Sequence, residues 1–200
     1  MSMALKCETR HCLRSQRIVK FVHAPTLDDM KRGKDLLRYL KATQKESIFL
    51  KPFKTADFTV EAHSDADLGG CRTSRKSTSG GCLALNGSIV HTWAEQQQTV
   101  ADSSAESEFI GLAQACKEIL YMTEFFDELG IKLKNVPLLF VDNTSAIRMI
   151  VSNIKSRVKH LDRKHYWIRH YIKEDRITVM HKDGKLILRT SLQNLWTQKR

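Results

Sequence analysis

The sequence has no long run of apolar residues, and this absence limits where the protein can work. A membrane-spanning helix needs roughly 18 or more apolar residues in succession, and no stretch of the chain approaches that length. The first residues, MSMALKCETRHCLRSQR, are too polar and too basic for the apolar core of a secretory signal peptide. We therefore expect an intracellular protein without a membrane partner, and the sequence leaves cytoplasm and nucleus open.

Paired cysteines are also missing. The five cysteines are odd in number, and none stand at the close paired spacing of a structural zinc site. The reducing interior of a cell keeps such residues as thiols. We expect free thiols, without disulfide bonds or a zinc centre.

Acidic residues are the third shortage. Only 22 Asp and Glu stand against 33 Lys and Arg, which leaves a formal net charge of +11. An excess of this size favours a polyanionic partner, because binding releases the counterions condensed on a phosphate backbone. A soluble basic surface is the plainer alternative, but the charge favours nucleic acid.

The residues that are present suffice for one folded domain and a short helical extension. With 42% hydrophobic residues, the chain can fill a core. Residues 26–42 predict a charged helix that is packed and half exposed. Its apolar face consists of Leu27, Met30, Leu37 and Leu40. Pro52 interrupts the chain, so we place the boundary with the main domain near residues 51–57.

From Phe58 onward the sequence is typical of β-strands. FTVEAHSDAD alternates, which predicts a strand with Phe58, Val60 and Ala62 on one side and His63 on the other. LGGCRTSRKSTSGG then predicts a loop or a wide turn. CLALNGSIVHTW predicts two strands joined at Asn86-Gly87, the dipeptide that best tolerates the positive φ angles of a type I′ turn. We expect three antiparallel strands between residues 58 and 93.

Two glutamates open the next predicted helix, in SSAESEF. Ser103 and Glu106 stand in the S-x-x-E relation of a capping box, in which the glutamate reaches back to the cap residue. The helix should continue through Leu129, with Gly130 just beyond its end. Glu108 lies within about 40° of the apolar stripe, so its carboxylate is on the buried face and requires cations or hydrogen-bond donors. The plainer alternative is a residue in an open first turn that interacts with the helix dipole.

Two aspartates stand at the ends of predicted strands. Asp142 follows the apolar run of PLLFVDNTSAI, which is typical of a strand buried on both faces, and Asp65 lies toward the end of the strand that starts at Phe58. Sites in sheets with parallel strands gather at strand ends. Asp65, Glu108 and Asp142 therefore offer three oxygen donors from separate elements, which suit a hard divalent cation such as Mg²⁺ and do not suit zinc.

Four segments of the sequence follow one another in a distinctive order and spacing over residues 58–182. They are HSDADLGGCRTSRKSTSGG, SSAESEF, FVDNTSAI and VKHLDRKHYWIRHYIKE. Together they resemble the ribonuclease H domain of copia-type retrotransposon Pol polyproteins. MKRGKDLLRYLKAT resembles the tail of the reverse transcriptase region of the same polyproteins. The resemblance implies three regions: a remnant of the reverse transcriptase C-terminal or connection region at 1–52, a ribonuclease H-like domain at 58–188 and a divergent tail at 189–200.

This resemblance also implies a fold and an activity. The fold is α/β, a ribonuclease H-like mixed five-stranded sheet flanked by helices, with a short helical N-terminal extension. The activity is two-metal hydrolysis of the RNA strand in RNA–DNA hybrids, with two Mg²⁺ or Mn²⁺ ions. Asp65 would bridge the ions, and Glu108 and Asp142 would complete the ligand set. The implied partners are the hybrid and the reverse transcriptase region of the parent polyprotein.

The match breaks at the C-terminus. Related domains carry an Ala-Asp pair there whose aspartate is the fourth metal ligand, whereas Arg189 and Thr190 stand at the corresponding place in this chain. Loss of that carboxylate weakens the binding of one metal most, and Arg189 would add repulsion if it pointed inward. We expect reduced activity, with Asp183 as a less favoured substitute ligand.

Residues of a loop and of the last predicted helix are candidate contacts to the hybrid. A helix over residues 158–173 would turn a basic face with a tyrosine outward, although a solvated face is the plainer alternative. His160, Asp162 and His165 suggest a metal site by composition, but structural or solvent-facing roles suit them better. The predicted contact residues are Arg72, Arg75, Lys76, Ser77, Thr78, Lys159, Arg163 and Tyr166.

Three functions are compatible with these observations. The intact Asp65, Glu108 and Asp142 favour an active or weakly active ribonuclease H. The missing polymerase and fourth aspartate favour a catalytically inactive nucleic-acid-binding or structural remnant. A polynucleotidyl transferase of integrase type shares the fold, but its acids typically run Asp, Asp, Glu, whereas this chain has the order Asp, Glu, Asp.

Overall fold

A five-stranded mixed sheet forms the centre of the protein. The computed structural model describes residues 24–44, 57–71, 74–151 and 159–183. The strands are β1 (Val60–Asp67), β2 (Thr78–Leu85), β3 (Ser88–Gln96), β4 (Leu138–Val141) and β5 (Thr178–His181). Their order across the sheet is β3-β2-β1-β4-β5. The pairs β1–β2 and β2–β3 are antiparallel, whereas β1–β4 and β4–β5 are parallel.

Four helices accompany the sheet within the described ranges. They are α1 (Leu27–Thr43), α2 (Ser104–Glu128), α3 (Thr144–Val151) and α4 (Lys159–Lys173). Helix α2 packs on β1 and β2, and α3 and α4 pack beside it. The core between them contains Leu112, Ile119, Leu139 and Ile168, all at most 1% exposed. This mixed five-stranded sheet with flanking helices confirms the predicted α/β architecture.

The β2–β3 hairpin forms where the sequence predicts it. Asn86 and Gly87 both have positive φ angles, 47° and 76°, as a type I′ turn requires. The Asn86 side-chain oxygen also accepts hydrogen bonds from the Thr59 backbone N–H at 2.6 Å and the Thr59 hydroxyl at 2.9 Å. The turn is thereby tied to the start of β1.

The predicted capping box of α2 forms only in part. The Ser103 hydroxyl accepts from the Glu106 N–H at 3.2 Å, as expected. The Glu106 carboxylate, however, accepts from the Asp102 N–H at 2.9 Å, one residue before the cap. The helix ends at Glu128, and Gly130 follows with a φ of +70°, close to the predicted end.

Helix α1 occurs as predicted, but its predicted packing is wrong. Leu27, Met30, Leu37 and Leu40 are exposed by 91%, 55%, 67% and 53%, and no residue of the helix is buried. The helix begins with a complete capping box between Thr26 and Asp29. Periodicity predicted the helix correctly but could not show whether another element covers its apolar side chains.

Both faces of β1 are buried near His63. Val60 and Ala62 are buried in the core, as expected. His63, which was expected on the other side of the strand, is only 5% exposed and stacks on Phe140 of β4 at 5.0 Å between ring centroids. Because β1 is the central strand of the sheet, residues on both of its faces are covered near this point.

The sequence predicts neither a membrane-spanning helix nor a disulfide bond, and the described residues bear on both predictions. None of the helices there is long and apolar enough to cross a membrane. Cys71, Cys82 and Cys116 are not joined by disulfides. Cys7 and Cys12 lie outside the described residues.

Candidate metal centre

The three acidic residues predicted as ligands meet at one edge of the sheet. Asp65 lies two residues before the end of β1, and Asp142 directly follows β4. These strands are adjacent and parallel, with Ser64 opposite Val141, so Asp65 and Asp142 emerge side by side. Glu108 reaches them from the start of α2. Each residue offers a carboxylate oxygen, and these oxygens all lie within 4.8 Å of one another.

Close packing of α2 on the sheet brings Glu108 to this edge. Gly111 faces the sheet, and a Cβ atom added to it would lie 3.2 Å from the Ser64 hydroxyl oxygen and 3.5 Å from the Ala66 Cβ. A side chain at this position would therefore require Ser64 or the helix to shift by a few tenths of an ångström. The missing side chain of Gly111 lets Glu108, three residues earlier, approach Asp65.

Desolvation and mutual repulsion raise the pKa of two carboxyl groups in the cluster, although only Glu108 is a buried residue. Glu108 is 5% exposed, and desolvation, followed by the charges of Asp65 and Asp142, raises its pKa to about 8. Desolvation and the Asp142 charge also raise the pKa of Asp65. A hydrogen bond from the Ala66 backbone opposes both shifts. A positive charge at the cluster would therefore stabilise the ionised carboxylates.

The donor set fits a hard divalent cation. Within the part of the chain that the structure describes, Glu108 Oε2 is buried without a hydrogen-bond partner. A buried carboxylate oxygen in this state is costly unless a cation or donor meets it. The three side chains supply only oxygen ligands, which Mg²⁺ and Mn²⁺ accept and structural zinc sites seldom use.

Two supporting contacts were not foreseen from the sequence. The Ala66 backbone bonds to the Asp65 and Glu108 carboxylates, and His181 Nε2 lies 3.0 Å from the Asp142 carbonyl oxygen. A hydrogen bond from a backbone N–H cannot be predicted from the residue type, because nearly every residue has that group. His181 ends the short strand β5, and only the parallel pairing of β4 with β5 places it beside Asp142.

The site of the expected fourth carboxylate is only partly described. Arg189 and Thr190 lie outside the described residues. Asp183 is exposed, two residues beyond β5, and it is not one of the three residues in the carboxylate cluster.

The residues predicted to contact nucleic acid differ in how far their side chains are exposed. Arg75, Arg163 and Tyr166 are exposed, Tyr166 by 79%, and Lys76 and Thr78 are partly exposed. The prediction is wrong for the Ser77 side chain, which is fully buried and accepts a hydrogen bond from the Gly69 N–H at 3.1 Å. Arg72 and the Lys159 side chain lie outside the description.

His165 has a structural position rather than a metal-binding one. It is 8% exposed and stacks on Phe109 with 4.3 Å between ring centroids. Desolvation, together with nearby Arg169, lowers its pKa. This buried stack agrees with the structural role favoured for His165, while the His160 side chain is not described.

The chain is similar in sequence to transposon polyproteins. It is 31% identical over 166 residues to the Retrovirus-related Pol polyprotein from transposon RE1 of Arabidopsis thaliana, covering 82% of this chain and 11% of the polyprotein. It is 27% identical over 164 residues to the corresponding polyprotein from transposon TNT 1-94 of Nicotiana tabacum, covering 82% and 12%. The chain thus spans about a tenth of these relatives.

Other comparisons add less. No protein-family model matches the chain. Among solved structures, LC11-RNase H1, isolated from compost by a metagenomic approach, has a TM-score of 0.47 and 14% identity, covering 67% of this chain and 91% of that one.

Proposed function

Because this chain is similar to a segment of the retrovirus-related Pol polyproteins of copia-type transposons, we propose that it is their ribonuclease H domain and cleaves the RNA strand of RNA–DNA hybrids. The observation that carries this proposal is the convergence of Asp65, Glu108 and Asp142 within 4.8 Å, with a buried Glu108 oxygen that lacks a partner. A structural cluster of acids would lose stability by such an arrangement, whereas a cation site requires it.

Each carboxylate has a distinct part in the proposal. Asp65, on the central strand, would be shared by two ions, and Glu108 and Asp142 would complete the ligand set. Bound Mg²⁺ or Mn²⁺ supplies water activation and neutralises charge on the scissile phosphate and leaving oxygen. The Ala66 N–H and the packing at Gly111 hold Asp65 and Glu108 in place.

Exposed basic residues provide the binding surface in this account. Arg75 lies between β1 and β2, and Arg163 and Tyr166 lie on α4. Arginine side chains fix phosphate positions, and an exposed tyrosine ring packs against sugars or bases. Lys76, Thr78, Arg72 and Lys159 extend this set as further proposed contacts.

The chain organisation is part of the same proposal. Residues 58–188 form the nuclease domain, residues 1–52 derive from the end of the reverse transcriptase region, and residues 189–200 form a divergent tail. The exposed apolar face of α1 fits a segment that once packed on a larger polymerase. The reverse transcriptase region is then the protein partner.

Cleavage of an end-labelled RNA–DNA hybrid in Mg²⁺ or Mn²⁺ tests the function. We expect cutting of the RNA strand only, and a loss of about 100-fold or more in Asp65→Asn and Glu108→Gln, because each removes a charged metal ligand. Glu106→Gln is the matched control, since Glu106 bonds to the Asp102 N–H outside the cluster and its variant should cut normally.

Two results would contradict the proposal. Cleavage that persists in both ligand variants would place the chemistry elsewhere or reveal a contaminant. Salt-sensitive hybrid binding without any cleavage would instead support an inactive nucleic-acid-binding domain, as expected if the missing fourth carboxylate is indispensable.

A further inference from the structure

A buried amide connects the helix that carries Glu108 with the strands beside Asp65. Gln97 directly follows β3 and is 5% exposed. Its side-chain Nε2 donates one hydrogen bond to the Ser79 hydroxyl and one to the Ser107 carbonyl, both at 2.8 Å. Its own backbone N–H donates to the Ser77 carbonyl at 2.8 Å. Gln97 is therefore fixed to the sheet and the helix at once.

One partner of the amide precedes a candidate metal ligand in the chain, and the other lies on the strand that pairs with β1 beside Asp65. Ser107 immediately precedes Glu108 on α2. Ser79 stands opposite Ala66 in the register of β1 and β2, one residue from Asp65. One side chain thus links the backbone that carries Glu108 to the strand that pairs beside Asp65.

The chemistry of an amide suits this place. A neutral NH₂ group donates to both the Ser107 carbonyl and the Ser79 hydroxyl without placing a charge in the interior, while among the described residues the Gln97 Oε1 is buried without a partner. At Gly111 the helix lies closer to the sheet than a side chain would ordinarily allow. Gln97 holds α2 from the other direction, against movement away from β2.

We propose that Gln97 is a positioning residue for the metal centre, which holds the start of α2 where the Glu108 carboxylate meets Asp65 and Asp142. This inference rests on the proposed function, because it requires the three carboxylates to bind cations. Gln97 itself touches neither the ions nor the substrate. Residues that orient metal ligands in this way typically change metal affinity by about 10–100-fold when they are replaced.

Calorimetric titration of the full chain with Mn²⁺ tests the inference. Gln97→Leu keeps similar volume but removes both donors, and we expect it to weaken Mn²⁺ binding by about 10-fold or more. Gln98→Leu is the matched control, since the neighbouring Gln98 is exposed and its variant should bind as the wild type does. Ser79→Ala removes only one of the two hydrogen bonds, so we expect a smaller loss from it, and it replaces Gln97→Leu if that variant does not fold.

The possible results distinguish a failure of the role proposed for Gln97 from a failure of the proposed nuclease function. If Gln97 has only a structural role, Gln97→Leu and Ser79→Ala will lower the Tm, but the Mn²⁺ affinity of the folded protein will stay within about twofold of wild type. That result would overturn the inference about Gln97 and leave the proposed function standing. A wild-type chain that binds no Mn²⁺ would overturn the proposed function together with the role of Gln97.

Discussion

At the scale of single residues, position on the helix separates two glutamates that the sequence places side by side. Glu106 and Glu108 are two residues apart, which is about 200° around a helix. Glu106 bonds to a backbone N–H near the surface, whereas Glu108 is buried among like charges and has a pKa of about 8. The same residue type therefore supports the start of the helix at one position and joins the carboxylate cluster at the other.

This difference predicts how stability depends on pH without metal. The folded-state pKa of Glu108, about 8, is above its ordinary value of 4.5, so its contribution to stability is complete below pH 4.5 and is lost as pH rises through about 8. Glu108→Gln should therefore gain stability relative to wild type as pH rises. Each kcal/mol gained should raise the Tm by about 2–4 °C.

Thermal unfolding in EDTA between about pH 5 and 9 measures this effect. Glu106→Gln is the control and should show no such trend. A constant difference between wild type and Glu108→Gln across the range would show that Glu108 is not held in a repulsive, desolvated cluster.

At the scale of elements, helices α1 and α2 show that an apolar stripe has different consequences with and without a partner. Leu112 of α2 is fully buried against the sheet, whereas Leu37 of α1 is 67% exposed. We expect Leu112→Ala to cost about 2–5 kcal/mol of unfolding free energy, because it leaves a cavity. Leu37→Ala should cost about 0.5 kcal/mol or less.

Urea denaturation of both variants, followed by circular dichroism, checks this contrast. A cost above about 1 kcal/mol for Leu37→Ala would mean that the face of α1 is covered in solution. Equal costs for the two variants would contradict the core described for α2.

Elements with strong local signals were predictable, and those that depend on distant contacts were not. Asn86-Gly87 specified its turn, and Ser103 and Gly130 marked the ends of α2, because cap and turn chemistry acts over a few residues. The burial of His63 depends on Phe140, which is distant in sequence. Gln97 likewise gains its partners only when β3, β2 and α2 assemble.

The three carboxylates of the cluster were predictable from the sequence, but the contacts that support them were not. Glu108 was selected by helix periodicity, and Asp65 and Asp142 by their positions at strand ends. Their closeness depends on the parallel pairing of β1 with β4, which the order of elements favoured. Ala66 supports the Glu108 carboxylate through a backbone hydrogen bond, which the residue types do not predict.

At the scale of the whole molecule, the net charge of +11 governs the proposed encounter with a nucleic acid. Binding of the hybrid should weaken steeply with salt, with a slope of log K against log salt of about −0.7 to −0.9 for each phosphate contacted. Arg75→Ala and Arg163→Ala should each reduce that slope by about 1 if these side chains contact phosphates.

Fluorescence anisotropy of a labelled hybrid over a series of salt concentrations measures the slopes. Lys134→Ala is the control, because Lys134 pairs with Asp57 near the start of β1, at the end of the sheet opposite Asp65. Equal slopes for Arg75→Ala, Arg163→Ala and Lys134→Ala would show that the charge acts without a defined contact surface.

The claim on which the account depends is that Asp65, Glu108 and Asp142 hold divalent cations. Anomalous diffraction from crystals of the full chain grown with Mn²⁺ tests it most directly, since it locates the ions without relying on activity. We expect anomalous peaks in contact with all three carboxylates, and their loss in Glu108→Gln crystals. Peaks found only at other sites, or none at saturating Mn²⁺, would contradict it.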